Sequence, residues 1–168
     1  MILYGGEVFE TKEQDRLISE LDKRINRTLL QKKLSPKTVI NAAEKLRQVI
    51  IDGEFDERLF SLGLNHTEHY KALICAVLSR DSLEQRLIEE LGDYPKEHVS
   101  NPPDSILPKL NISVQPLGVL LHIAAGNMDG LPSMSLAEVL LSVNINILKL
   151  PSADNGFSLE IISRLIKY

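Results

Sequence analysis

Two polar side chains stand at the ends of short apolar runs in the second half of the chain. Asn127 follows residues 119–126, and Lys149 lies near the end of residues 145–150. A side-chain amide can stabilise the negative charge that develops on a carbonyl oxygen, and an ammonium can bind hydroxyl or phosphate oxygens. Asparagine is also a common turn residue, and lysines at strand ends commonly reach solvent. The local sequence leaves both interpretations of each residue open.

The apolar pattern around these two residues predicts alternating strands and helices. Residues 119–123 are apolar apart from His122, as expected for a strand buried on both faces, and residues 145–150 predict a second strand. Helical periodicity predicts helices over 132–143 and 154–167. This order indicates an α/β fold that begins a parallel, doubly wound sheet. Lys149 then lies at the carboxyl end of a strand, where such sheets bind ligands.

The first 110 residues carry most of the charges and predict a mainly helical region. Thr11 is predicted to cap a helix that runs to about Leu29. Ser35-Pro36 is the strongest start signal, because a capping serine precedes a proline at the first helical position. That helix is predicted to end at Gly53, and two further helices are predicted, one over 69–78 and one from Asp81 or Ser82 to Leu91. A non-helical linker at 101–108 and a strand around Ile112 and Val114 are predicted to follow.

The segments that surround Asn127 and Lys149 resemble the aldehyde dehydrogenase superfamily. The similarity is greatest to its acyl-CoA reductases, the enzymes that supply fatty aldehyde to bacterial luciferase. In the superfamily a first strand ends in an asparagine, and a second strand ends in a lysine that proline and serine soon follow. The matching segments are Pro-Leu-Gly-Val at 116–119, His-Ile-Ala-Ala-Gly-Asn at 122–127, residues 136–143, and Ile-Leu-Lys-Leu-Pro-Ser at 147–152.

The resemblance implies a role for four residues. It implies that Asn127 is the oxyanion-stabilising amide and that Lys149 holds the adenosine ribose of a nucleotide. Ser152 stands where many NAD-linked members have a glutamate, and its lack of charge favours NADPH, with NADH as the alternative. Ala125 is predicted to contact the same cofactor. The implied domains are a mainly helical region at 1–110 and the start of an NAD(P)-binding domain at 111–168.

The resemblance also implies that the intact enzyme converts a fatty acyl-CoA to a fatty aldehyde through a cysteine thioester. The family places that cysteine well downstream of the lysine strand, beyond this chain, so we expect the chain alone to be inactive. Cys75 lies in an apolar helical pattern that is typical of inert, buried cysteines. The intact enzyme is expected to bind acyl-CoA and to be a homo-oligomer.

Composition excludes several other classes of function. The net charge of −4 argues against nucleic acid as a partner. A single cysteine permits no internal disulfide and favours a reducing, cytoplasmic setting. No apolar stretch reaches the length of a membrane span. His66 and His69 lack the further ligands that a metal site needs, so no metal is expected.

Two alternatives to the acyl-CoA reductase remain at this stage. The first is another enzyme of the same superfamily, such as an ordinary aldehyde dehydrogenase or a phosphorylated-semialdehyde reductase. Alternatively, it is a non-catalytic module that pairs with a partner through the sheet edge left open after the second strand.

Overall fold

The fold is mixed α/β, with helices packed around a small mixed sheet. The computed structural model describes residues 1–31, 34–63, 67–91, 98–99, 111–112, 116–126, 130–152 and 155–168. The helices are α1 (Gln14–Leu29), α2 (Pro36–Ile51), α3 (Asp56–Ser61), α4 (Thr67–Val77), α5 (Arg80–Leu91), α6 (Leu131–Leu140) and α7 (Phe157–Ile166). The strands are β1 (Ile2–Tyr4), β2 (Glu7–Phe9), β3 (His98–Val99), β4 (Asn111–Ile112), β5 (Val119–Ile123) and β6 (Ile145–Lys149).

The first helices begin at side chains that bind free backbone N–H groups. Ser35 caps α2 as predicted, because its hydroxyl accepts a hydrogen bond from the Thr38 amide at 3.2 Å. Before α1, the capping residue is Glu10 and not Thr11. The Glu13 carboxylate accepts a bond from the Glu10 amide at 3.1 Å, and Thr11 begins a single 3-10 turn that leads into α1.

The helix α6 and the strands on either side of it confirm the predicted order of elements in the second half. α6 ends at Leu140, three residues before the predicted end. Val143 adopts a left-handed φ of 59°, which a β-branched residue rarely takes, and this turns the chain from α6 into β6. α3, by contrast, was not predicted. α5 ends at Leu91 as predicted, and Val114 of the predicted strand lies outside the described residues.

The main sheet has the strand order β2-β1-β6-β5. β5 and β6 are parallel, as predicted, and α6 connects them. β1 is antiparallel to both β2 and β6, and Leu3 lies opposite Leu148 in the second of these pairs. β3 and β4 form a separate antiparallel pair. The sheet is therefore mixed, because an N-terminal hairpin joins a parallel pair from the second half of the chain.

This hairpin was not predicted. The described part of the first region is mainly helical, but residues 2–9 also supply two of the four strands of the main sheet. The alternative of a non-catalytic module required an open edge on β6, yet β1 is hydrogen-bonded to that edge. A partner strand therefore has no access to the side of β6 that faces away from β5.

β5 was predicted to be buried on both faces, and this prediction is wrong. Leu121 is 63% exposed and Ile123 is 74% exposed. The helix α1 packs on the same side of the sheet through Leu17, which contacts Tyr4 and Ile147 of the neighbouring strands. Within the described residues β5 is an edge strand beyond the reach of α1, and so its outward side chains stay uncovered.

The largest core joins the helices of the first region to α6 and α7. Leu46, Ile74 and Leu83 lie in one buried cluster with Ala137 and Phe157. Three ion pairs cross between the same groups of helices, namely Arg58–Glu160, Arg86–Glu138 and Arg164–Glu54. The predicted domain division at residue 110 stays a prediction, and the core is continuous across it.

The hairpin provides a test of this fold. Phe9 is 1% exposed, whereas its neighbour Val8 is 38% exposed. Phe9→Ala removes a buried ring from the cluster under α1, so we expect the free energy of unfolding to fall by about 3–5 kcal/mol. Val8→Ala is the matched control and is expected to cost less than about 1 kcal/mol. Urea denaturation measures both, and equal losses would contradict the packing of the hairpin.

Candidate functional site

The carboxyl ends of β5 and β6 lie side by side and form the candidate site. Ile123 is the partner of Lys149 in the parallel register. The Ala124 amide donates a hydrogen bond to the Lys149 carbonyl at 3.1 Å, which extends the pairing by one residue. Ala125 and Ser152 follow the two strand ends, and both are exposed. The structure therefore brings Ala125, Lys149 and Ser152 to the same edge of the sheet.

Lys149 presents a cation at this edge. Its side chain is exposed, and Nζ donates one long hydrogen bond, 3.3 Å, to the carbonyl oxygen of the adjacent Leu150. Among the described residues, no carboxylate lies within ion-pair distance of Nζ. The ammonium is thus available to bind an oxygen atom of a ligand at little cost in lost contacts.

The backbone beneath Lys149 is firmly held. Leu148 and Leu150, on either side of it, are 2% and 0% exposed. The Leu150 amide donates a hydrogen bond to the Met1 carbonyl at 3.0 Å, so the first residue of the chain anchors the end of β6. The lysine side chain therefore extends from a fixed point, and a site built on a strand is positioned more precisely than one on a loop.

Asn127 lies outside the described residues, so its oxyanion role stays a prediction. The described chain on that side reaches Gly126, which is exposed. On β5, the polar side chain that precedes Asn127 in the sequence is His122. Its Nε2 forms a 3.0 Å hydrogen bond with Asn146 Oδ1 on β6, which gives that ring nitrogen a partner across the strand pair.

Two asparagines near the amino end of β6, the end away from Lys149, form a hydrogen-bond network that was not predicted from the sequence. Asn144 Oδ1 accepts a bond from the Gly118 amide at 2.9 Å, and its Nδ2 donates to Ser142 Oγ at 2.7 Å. Asn146 Nδ2 donates to the Asn144 carbonyl at 3.0 Å. The spacing of two asparagines around Ile145 carried no signal, because each amide oxygen is bound by a residue that the fold brings close, Gly118 for Asn144 and His122 for Asn146.

Cys75 lies in α4, away from the ends of the strands. It is half-buried, and its Sγ is 4.0 Å from the Arg47 carbonyl oxygen. Burial raises the pKa of the Cys75 thiol, against the weaker opposing effect of the Arg47 and Lys71 cations. The thiolate is the reactive form of cysteine, so this environment agrees with an inert structural residue.

Arg47, whose carbonyl oxygen lies near Cys75, forms an ion pair with a carboxylate. Arg47 binds both oxygens of Glu44, and the Arg80 amide donates to one of them at 3.1 Å. The Arg47 guanidinium holds the pKa of Glu44 below its ordinary value, although burial opposes this shift. Arg47 is therefore engaged by Glu44 and is poorly placed to activate the neighbouring thiol.

The described part of the chain contains no group of three or more histidine, cysteine, aspartate or glutamate side chains that could hold a metal ion. His66, one of the histidines considered in the sequence, lies outside that part. No described helix is both long and apolar enough to cross a membrane.

One comparison with known proteins identifies a family. The family model described as acyl-CoA reductase (LuxC) matches residues 31–168, which is most of the chain. No curated protein matches the sequence, and no solved structure matches the fold. The match includes β5, β6 and the loops at their carboxyl ends, and it begins after the N-terminal hairpin and α1.

The burial of Cys75 gives a prediction about its reactivity. Because its pKa is raised, less thiolate is present near neutral pH than in a free cysteine. We expect Ellman's reagent to react at least about tenfold more slowly with the folded chain than with the urea-unfolded chain. The folded rate is expected to keep rising with pH beyond about 8.5, the ordinary thiol value. A plateau below that pH would show an activated thiol.

Proposed function

The chain belongs to the LuxC family of acyl-CoA reductases, and we propose that it is the amino-terminal part of an NADPH-dependent enzyme that reduces fatty acyl-CoA to fatty aldehyde. The family match carries this proposal. Support for the cofactor comes from Lys149, an exposed cation without a carboxylate partner in the described chain, at the carboxyl end of a parallel strand. Nucleotides bind at this edge in open α/β sheets.

The proposed architecture is an aldehyde dehydrogenase-like sheet of the doubly wound type. The parallel pair β5–β6 and its α6 connection support it. The antiparallel β1 is a departure from a purely parallel sheet, although mixed edges are common in doubly wound folds. Within this architecture, residues 111–168 begin the NAD(P)-binding domain.

Three described residues are proposed to hold the nucleotide. Lys149 Nζ donates to the oxygens of the adenosine ribose, and its charge also attracts a 2′-phosphate. Ser152 is exposed on the same edge and places no negative charge near that phosphate. Ala125 is exposed and has a small side chain, which permits close approach of the cofactor. This set favours NADPH over NADH.

The catalytic step is proposed to need a cysteine thiolate from beyond this chain. That thiolate attacks the carbonyl carbon of the acyl-CoA, the bond to the CoA sulfur breaks, and CoA leaves as its thiolate. Lys149 and Ser152 would hold NADPH, which would supply the hydride that converts the enzyme thioester to a thiohemiacetal anion. Asn127 stabilises the charge on the carbonyl oxygen and contributes roughly 3 kcal/mol. Collapse of the thiohemiacetal releases the aldehyde and restores the cysteine.

The alternative readings have less support. A different aldehyde dehydrogenase superfamily enzyme is disfavoured by the acyl-CoA reductase family match. A module that pairs through the far edge of β6 is excluded by β1, which occupies that edge. We further propose a homo-oligomer that acts in the cytoplasm, in keeping with a catalytic thiolate that requires reducing conditions.

Nucleotide binding tests the role of Lys149. We expect the chain to bind NADPH more tightly than NADH, as measured by the fluorescence of the reduced nicotinamide. Lys149→Ala removes a charge-assisted hydrogen bond and should weaken NADPH binding by about tenfold or more. Lys167→Ala removes an exposed lysine at the end of α7 and is the matched control. Equal effects of the two changes would exclude a specific site at Lys149.

The same titration separates the two cofactors through Ser152. Ser152→Glu adds a negative charge beside the proposed 2′-phosphate, so NADPH binding should weaken while NADH binding is kept or improved. Urea denaturation of both site variants is the control, because each residue is exposed and its change should alter the free energy of unfolding by less than about 0.5 kcal/mol. Unchanged cofactor preference would place Ser152 outside the site.

Measurement of catalytic turnover tests whether the nucleophile lies outside this chain. We expect no oxidation of NADPH by this chain with tetradecanoyl-CoA, because Cys75 is its one cysteine and lies in α4. A chain extended through the proposed downstream cysteine should oxidise NADPH and form tetradecanal. Activity of the short chain would contradict the proposed position of the nucleophile. Inactivity of the extended chain, when it is folded and binds NADPH, would contradict the proposed reaction.

A further inference from the structure

The turn that leads from Ser152 into α7 is held by a side chain from the first half of the chain. Asn155 is the first described residue after Ser152, since residues 153 and 154 lie outside the described part. Arg58, in α3, donates a hydrogen bond from a terminal guanidinium nitrogen to the Asn155 carbonyl oxygen. A cation of the helical region therefore binds the backbone three residues after Ser152.

Two further partners fix the orientation of the Arg58 guanidinium. Its Nε donates to a carboxylate oxygen of Glu160 at 3.1 Å, in the first turn of α7. Its other terminal nitrogen donates to the Ser61 hydroxyl at 3.3 Å, on the same helix as Arg58. The guanidinium is a planar group whose donors have a fixed geometry. These two bonds therefore orient the nitrogen that binds the Asn155 carbonyl.

The backbone of this turn has a conformation that needs support from its surroundings. Asn155 has a φ of 48° and Gly156 a φ of 81°, so two successive residues are left-handed. Asparagine tolerates this region better than most residues, but such conformations persist only where neighbouring contacts hold them. Gly156 precedes α7 and provides no side-chain cap. The bond from Arg58 is thus a contact that stabilises the turn from outside it.

The segment that carries Ser152 is anchored on both sides. After the turn, Phe157 is fully buried, and its ring packs edge-to-face on Phe55 with the centroids 6.4 Å apart. Phe55 is the residue before α3. Before the turn, Leu150 is also fully buried, and its amide donates to the Met1 carbonyl. Residues 55–58 therefore supply the contacts at one of the two anchors.

The position of Ser152 bears on the choice between the two cofactors. Its side chain is exposed, and a hydroxyl can donate one hydrogen bond to a ligand. A bond to the 2′-phosphate of NADPH is charge-assisted and therefore strong. NADH has an uncharged hydroxyl at that position and gains less from the same donor. Displacement of Ser152 should therefore weaken NADPH binding more than NADH binding.

We propose that Arg58 is a positioning residue for the nucleotide site. It holds the turn at Asn155 and so places the Ser152 hydroxyl for the 2′-phosphate of NADPH. Its own guanidinium is engaged by Asn155, Glu160 and Ser61 and acts on the cofactor only through Ser152. This role rests on the proposed function, and it adds to that function a determinant of cofactor specificity from outside the sheet.

Arg58→Met tests this role, because methionine keeps much of the apolar stem and removes every hydrogen-bond donor. We expect the preference for NADPH over NADH, the ratio of the two dissociation constants from nicotinamide fluorescence, to fall at least about fivefold. Arg164→Met is the matched control, since it breaks the 2.9 Å ion pair of Arg164 with Glu54 and leaves the turn intact. It should change the ratio less than twofold, and equal effects of the two variants would overturn the proposal.

A double-mutant cycle tests whether Arg58 acts through Ser152. Ser152→Ala should lower the NADPH preference by about tenfold, the effect of one hydrogen bond to a charged group. In the Ser152→Ala background, Arg58→Met should lower it by less than a further twofold, because the hydroxyl that Arg58 positions is absent. Full and additive effects of the two changes would overturn the proposed role.

Amide signals of the nucleotide-free chain separate this role from the proposed function. In a ¹⁵N–¹H correlation spectrum, Arg58→Met should shift or broaden the Ser152 signal, whereas Arg164→Met should leave it in place. Both arginines are partly exposed, at 32% and 39%, so both variants should fold. An unchanged Ser152 signal in Arg58→Met would overturn the proposed role.

The unaltered chain shows which proposal has failed. If it binds no NADPH, the proposed function is contradicted, and the role of Arg58 in cofactor choice is contradicted with it. If it prefers NADPH and Arg58→Met keeps that preference, the role of Arg58 alone is overturned, and the proposed nucleotide site at Lys149 stands.

Discussion

Strand β6 is hydrogen-bonded along both edges, and the rest of the structure depends on those two ladders. A buried strand cannot leave its N–H and C=O groups unpaired, because each unpaired group costs on the order of 1–3 kcal/mol. β5 satisfies one edge in parallel register and β1 satisfies the other in antiparallel register. The two faces of β6 are then covered by different helices, with α1 over Ile147 and the pair α6 and α7 over Leu148.

This arrangement determines which parts of the fold the sequence could reveal. Ser35-Pro36, the strand around Leu148 and the helix α7 were predictable because each is specified by local residues. The hairpin was missed because its strands have three residues each, too few to show a period. Its turn did carry a signal, since Gly5 and Gly6 both have positive φ, and paired glycines favour tight hairpin turns.

Burial was harder to predict than secondary structure. An apolar run such as residues 119–123 indicates a strand whose two faces suit apolar surroundings, but it does not show that both faces are covered. Whether the outer face of β5 is covered depends on the position of α1. Because α1 follows the hairpin in the chain, it packs over β1 and β6 and does not reach β5. The site was predictable to a similar degree. Ala125 and Lys149 share an edge because β5 and β6 are parallel, as predicted, whereas the asparagine network depends on bonds with Gly118 and His122 that no local pattern specifies.

The proposed nucleotide position depends on the same two ladders. Lys149 is the last residue of β6, and the pairing with both neighbouring strands continues to that point, through Ile123 on β5 and Ile2 on β1. The Leu150 amide adds a hydrogen bond to the Met1 carbonyl just beyond the strand. Because the backbone that carries the ammonium is held on both sides, a change in the N-terminal hairpin would move Lys149 without altering the residue itself.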